Sequence, residues 1–151
     1  MTPSFHYETA FSRTIGWVTR SELATLRGKR IAIAGMGGVG GIHLLTLTRL
    51  GIGGFALSDP DTFDLVNFNR QAGAMMSTLG QPKVETMAAM ARDINPELDL
   101  RIFGAITREN AEAFLAGCDL YLDGMDFFAF EAREALFSAA RRLGIPATTA
   151  G

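Results

Sequence analysis

Cysteine is nearly missing from this chain: Cys118 is the only one among 151 residues. An internal disulfide is excluded, as is an internal zinc site built on paired cysteines, and this suits a reducing, cytoplasmic setting. Histidine is scarce too, with only His6 and His43, so no Ser-His or Cys-His pair presents itself as an activated nucleophile. No charge sign dominates. Fourteen basic and sixteen acidic residues leave a net −2, and no global field draws nucleic acid or membrane to the chain. The stretch Met1 to Glu8 has neither the basic nor the apolar region of a secretory signal. The most apolar stretch, residues 41–57, holds His43, Arg49 and internal glycines, and does not read as a membrane span.

What is present is a regular alternation. Five apolar runs read as buried strands: Arg30–Ala34, Gly54–Ser58, Leu98–Phe103, Leu120–Asp123 and Pro146–Thr149. Helical spacing links Ile42, Leu45, Leu47 and Leu50, then Val84, Met87, Ala88, Ala91 and Ile94. It returns in Ala111, Phe114 and Leu115, and in Ala132 through Leu143, with Asn95-Pro96 and Gly144 as helix stops. Strands alternating with helices predict an α/β, Rossmann-like, doubly wound and mostly parallel sheet. Residues 1–29 form a separate helical and extended segment, with a helix from Arg20 to Leu26. Residues 30–151 form the nucleotide-binding domain, expected to be truncated after its fifth strand, Ile145 to Gly151.

The first strand runs into Gly35-Met36-Gly37-Gly38-Val39-Gly40 and then into a helix. A helix start offers unpartnered N–H groups and a positive dipole end, and glycine lets a phosphate approach the backbone. Gly35, Gly37, Gly38 and Gly40 are therefore candidate nucleotide contacts. Asp59 ends the second strand, where an acid would accept from ribose hydroxyls. Dehydrogenases share this pattern with other nucleotide enzymes, so a NAD(P)-dependent oxidoreductase stays open on these residues alone.

The residues that follow shift the balance. Asn67-Phe68-Asn69-Arg70-Gln71 places Asn67 and Arg70 three apart, on one face of a helical turn. Gly80-Gln81-Pro82-Lys83 puts Pro82 at the first helical position and Lys83 in the first turn, where a cation is unfavourable unless an anion lies in front of it. Asp123-Gly124-Met125-Asp126 brings a further carboxylate to the same sheet edge. Two cations beyond those a pyrophosphate needs suit a triphosphate with magnesium.

The pieces GMGGVG (35–40), SDPDTFDLVNFNRQ (58–71), GQPKVE (80–85), INP (94–96) and LDGMD (122–126) resemble the ThiF/MoeB/ubiquitin-activating adenylyltransferase family in order and spacing. The likeness spans roughly residues 11 to 151. It implies an enzyme that binds ATP and Mg²⁺ and activates the C-terminal carboxylate of a ubiquitin-like or sulfur-carrier protein as an acyl-adenylate. In the roles it implies, Asp59 binds the ribose, Asn67, Arg70 and Lys83 hold the phosphates and stabilise transition-state charge, Gln71 is a further nucleotide-binding residue, and Asp126 organises the metal. Arg13 resembles an arginine that reaches the partner's nucleotide in a homodimer, although Ser12-Arg13-Thr14 departs from the usual Asn-Arg-Gln. The alternatives carried alongside are ATP-dependent dehydration of a carboxyl-bearing modified adenosine in tRNA, the oxidoreductase, and a non-catalytic scaffold.

Some features read as ordinary structure. Phe127, Phe128 and Phe130 are expected to pack under a neighbouring segment, and Met75, Met76, Met87 and Met90 to fill core or loop contacts. Cys118 is expected to be a buried small hydrophobe. Asp61 reads equally as a metal-assisting acid or an exposed turn residue.

Overall fold

The computed structural model describes residues 4–149. The two ends of the segments read from sequence, residues 1–3 and 150–151, lie outside the described residues. Five strands, β1 (Arg30–Ala34), β2 (Gly54–Ser58), β3 (Asp99–Phe103), β4 (Leu120–Asp123) and β5 (Ala147–Thr149), pair in the order β3-β2-β1-β4-β5. Every pairing is parallel. Among the described residues, six α-helices accompany them: α1 (Tyr7–Ala10), α2 (Arg20–Arg27), α3 (Gly40–Leu50), α4 (Lys83–Ile94), α5 (Ala111–Leu115) and α6 (Phe130–Leu143). Two predicted strands start one residue late. The Leu98 N–H turns back to the Asn95 carbonyl, and Pro146 has no N–H for a ladder.

Alternation along the strands decides the layers. In β1 the side chains of Ile31 and Ile33 enter one core and those of Ala32 and Ala34 the other. The first core joins Phe55 and Leu57 of β2 to Leu44 of α3 and to Val84, Met87, Ala88 and Ala91 of α4. On the opposite face, Ala32, Ala34 and Ala56 leave room for Tyr121, for Phe114 and Leu115 of α5, and for Leu136 and Ala139 of α6. Gly144, with φ of 68°, closes α6 in the left-handed region, as its place in the sequence predicts.

The leading segment is tied to the base of this unit. Tyr7, Phe11 and Leu23 make a small buried cluster, and the Tyr7 hydroxyl donates to the Gly51 carbonyl at the end of α3. The helix α2 opens with a reciprocal cap, in which Thr19 Oγ1 accepts from the Glu22 N–H and Glu22 accepts from the Thr19 N–H. Among the described residues, no helix is long and apolar enough to cross a membrane.

The strand order sets the site. From β1 the chain winds outward through β2 to β3, then returns to place β4 on the other side of β1. The carboxyl ends of β1 and β4 therefore diverge into a crevice, the place where open sheets of this kind bind ligands.

Candidate functional site

A cleft of about 280 Å³ lies in that crevice, lined by residues from four stretches of the chain. Gly35, Gly37, Gly38 and Val39 form one wall, Asp59 and Asp61 follow β2, Arg70, Gln71 and Lys83 come from the segment leading into α4, and Gly124, Met125 and Asp126 follow β4.

The glycine turn is built for close approach. Gly35 has φ of 88°, and any Cβ there would overlap the Gly124 backbone, so β1 and β4 can separate only beyond this point. The N–H groups of Gly37, Gly38 and Val39 donate to no group among the described residues. Three uncommitted amides at a helix start are an anion cradle. Gly40 does different work from the nucleotide contact predicted for it. It is buried, does not line the cleft, and a Cβ on it would overlap the Gly35 carbonyl, so its role is to let α3 start tightly against β1.

Asp59 is buried at the end of β2. One carboxylate oxygen accepts from the Met36 N–H at 2.6 Å and the other from the Asp61 N–H at 2.8 Å. Each oxygen keeps a further lone-pair direction, so the acid both shapes the glycine turn and can still accept from a ligand hydroxyl.

Asn67 and Arg70 stand three apart on a helical turn, but they differ in exposure: Arg70 is exposed and Asn67 is buried. A short 3-10 turn over Leu65–Asn67 buries Asn67, whose side-chain oxygen accepts from the Asp64 N–H at 2.8 Å. Its carbonyl accepts from the N–H groups of both Arg70 and Gln71. Asn67 therefore holds the turn that presents Arg70 and Gln71, and is absent from the cleft lining. The Arg70 guanidinium is anchored through Nη1 to the Val66 carbonyl and to Asn69, leaving Nε and Nη2 without partners among the described residues. Gln71 is 8% exposed, and its side-chain oxygen is buried with no hydrogen-bond partner. An orphaned buried acceptor is costly, and only a donor could satisfy it, while the Nε2 end of the same amide is the end that lies beside Gly37.

Lys83 is the first residue of α4, not the second. Pro82 stands just before the helix with ψ of 130°, held extended by an antiparallel bridge to Thr62. Lys83 reaches the cleft from this position, with Nζ 3.5 Å from Asp61 Oδ2. Asp126 Oδ1 accepts from the Phe128 N–H, and Oδ2 accepts from no described residue. Among the described residues, no three His, Cys, Asp or Glu side chains are gathered to hold a metal. One carboxylate with a spare oxygen suits magnesium, which binds through one or two carboxylates together with nucleotide phosphates.

Other expectations fare differently. Arg13 lies in a 3-10 turn of the leading segment, exposed, and is not part of its own chain's cleft. Phe127, Phe128 and Phe130 are exposed, with Phe127 meeting each of the other two edge to face at 5.5 Å, instead of packing under a neighbour. Met75 and Met76 are exposed as well, whereas Met87 is fully buried. Cys118 is buried at the amino end of β4, and burial pushes its thiol up, which is the wrong direction for a nucleophile. Sequence reasoning did not nominate Val39, Gly124 or Met125 as site residues, and left Asp61 open between a metal-assisting acid and an exposed turn residue. The signal for Asp61 was its place two residues after Asp59, which sends the next backbone N–H into the same carboxylate.

A doubly wound sheet with free amides, an acid at the end of β2 and two cations at its switch point defines a nucleotide-binding α/β protein. The chain belongs to the ThiF family, which it matches over residues 11–151. It is 39% identical over 125 residues to the tRNA threonylcarbamoyladenosine dehydratase of Bacillus subtilis, covering 80% of this chain and 48% of that one. It is 37% identical over 103 residues to the molybdopterin-synthase adenylyltransferase of Escherichia coli, covering 67% and 41%. Among solved structures it superimposes with a TM-score of 0.90 on E. coli tRNA N6-threonylcarbamoyladenosine dehydratase in complex with ATP, at 30% identity, covering 99% of this chain and 61% of that one. The chain thus spans about half the length of the curated relatives it matches.

Proposed function

We propose that the cleft binds ATP and that the protein activates a carboxylate by adenylation. The observation that carries this reading is the convergence of the free Gly37, Gly38 and Val39 amides with Arg70 and Lys83 in one cleft. The amides and the two cations offset phosphate charge, while Asp59 accepts from the ribose. ATP supplies an α-phosphorus that an ionised carboxylate attacks, releasing pyrophosphate and leaving an acyl-adenylate. That nucleophile needs no base, which agrees with a cleft lining free of histidine, serine and cysteine. Positioning and charge stabilisation are the whole task. Asp126 is the residue that would hold magnesium, which supplies further charge neutralisation.

Within this reaction the carboxyl-bearing modified adenosine of tRNA is favoured over the C-terminus of a ubiquitin-like or sulfur-carrier protein. The relatives support that order: dehydratases at 39%, 37% and 34% identity cover four-fifths of the chain. Dehydration follows when an internal nucleophile of the activated substrate displaces AMP, so that the carboxylate oxygen leaves with the phosphate. A homodimer in which Arg13 crosses to the partner's cleft, and a cytoplasmic location, belong to the same proposal.

ATP–pyrophosphate exchange by the full-length protein tests it, with modified tRNA and candidate carrier proteins added separately. Exchange that depends on tRNA and disappears in Arg70→Ala and Asp126→Ala supports the reading. Exchange driven only by a carrier protein restores the other substrate. Exchange indifferent to both substitutions removes the cleft from the reaction.

A further inference from the structure

Lys83 has an unusual setting. Its side chain is 9% exposed, yet the charged partner the structure gives it is a single carboxylate that is itself 68% exposed. An ammonium at the end of a largely buried side chain, opening only onto the cleft, needs a counter-ion, and one contact at 3.5 Å is a thin supply. The placement of that carboxylate is not loose, however. The Asp61 N–H is fixed by Asp59, and the Asp61 carbonyl accepts from the Lys83 N–H at 2.9 Å. Beyond it, the Phe63 N–H donates to the Gln81 carbonyl and the Gly80 N–H to the Phe63 carbonyl. The Asp61 strand segment and the start of α4 are thus stitched together by their backbones, so the acid is delivered to the lysine without a long side chain having to be ordered.

Resting on the nucleotide reading above, we propose that Asp61 is the displaceable counter-ion of Lys83. In the empty cleft Asp61 holds the ammonium in place; when a nucleotide binds, a phosphate takes Lys83 and Asp61 swings back to solvent. The exposure of the acid makes it the partner that leaves at little cost, while the burial of the lysine keeps the cation where the phosphate arrives. Phosphate oxygens offer the ammonium more acceptors than one carboxylate does, so the exchange runs forward. Asp61 is therefore a positioning residue that lowers affinity slightly and keeps Lys83 aimed.

Titration calorimetry of the full chain with AMP, ADP and ATP in EDTA tests this. Asp61→Asn should bind metal-free ATP about threefold to tenfold tighter, the size expected when an exposed ion pair no longer competes. Asp61→Glu, which keeps the charge, should stay within about twofold of wild type. The gain from Asp61→Asn should largely vanish in a Lys83→Met background, and the shortest nucleotide that shows it identifies the phosphate that Lys83 holds. Unchanged or weaker binding by Asp61→Asn, in protein whose circular dichroism is unaltered, overturns the role. So does an equal gain with and without Lys83, which would be simple repulsion. A loss confined to magnesium-loaded ATP would make Asp61 a metal ligand and equally overturn it. Absence of ATP binding by wild type refutes the nucleotide reading itself, whereas wild-type binding with no Asp61 effect refutes only the counter-ion.

Discussion

Two acid–cation pairs stand at the carboxyl edge of the same sheet and are built in opposite ways. At the end of β4, Asp123 is 1% exposed, and Arg133 reaches it from α6 through Nε and Nη2, both at 2.8 Å. The second carboxylate oxygen accepts from the Tyr121 hydroxyl and the Met125 N–H, so the acid is saturated by its own chain. Burial and this neighbouring carboxylate both push the Tyr121 hydroxyl above its ordinary range, so it stays a donor. Across the cleft, Lys83 and Asp61 share one long contact. The first pair has nothing left to offer a ligand and locks β4 to α6. The second leaves most of its capacity unspent. A polar group that is buried and satisfied reads as architecture; one that is buried and underserved reads as a site.

Stability measurements can break this contrast. Asp123→Ala leaves Arg133 without its partner and should cost about 3 kcal/mol in urea unfolding, as for other broken buried pairs. Lys83→Met replaces an underserved charge with a chain of similar shape and should change stability by less than about 1 kcal/mol. Equal losses would erase the distinction. The glycine turn offers the same comparison on a smaller scale. Gly40→Ala should cost about 2 kcal/mol or more, because its methyl collides with backbone. Gly37→Ala meets only the Gln71 side chain at 3.4 Å and should fold normally while weakening nucleotide binding.

Effects remote from the cleft should be smaller and confined to stability. Thr19→Ala removes one side of the reciprocal cap on α2 and should cost about 1 kcal/mol, with ATP affinity unchanged. At the base of the sheet, the Lys29 ammonium, followed by the Arg30 N–H, holds the Asp119 carboxyl below its usual value. A lowered folded-state value means a contribution that is present above the ordinary carboxylate range and lost as pH falls through the lowered one. Asp119→Asn should therefore flatten the acid limb of the stability profile and leave the neutral limb parallel to wild type.

Much of the fold was legible because its signals are local. Apolar runs of four to six residues bounded by Gly, Asn and Pro marked all five strands, and Gly144 ended α6 where its φ requires it. The cleft was legible to the extent that backbone geometry follows from residue type, as with the glycines and with Asp59 at a strand end. What escaped notice depends on contacts made at a distance. Asn67 was read by its spacing with Arg70, and what that spacing does not show is its burial as the clamp of a 3-10 turn. Pro82 looks like a helix residue, yet the bridge to Thr62 holds it outside. Asp61 stayed open between a metal-assisting acid and a turn residue, because its meeting with Lys83 depends on hydrogen bonds between segments some twenty residues apart. The aromatic run after Asp126 was expected to pack under a neighbouring segment, and among the described residues Phe127, Phe128 and Phe130 are exposed.

The most direct test of the central claim is the affinity of the wild-type chain and of Lys83→Met for ATP, with NADH as competitor. The account predicts that wild type binds ATP, that NADH does not displace it at matched concentration, and that Lys83→Met loses about tenfold or more in affinity with its fold intact, as expected for a charge-assisted contact. Equal affinity in the two proteins, or displacement by NADH, would contradict it.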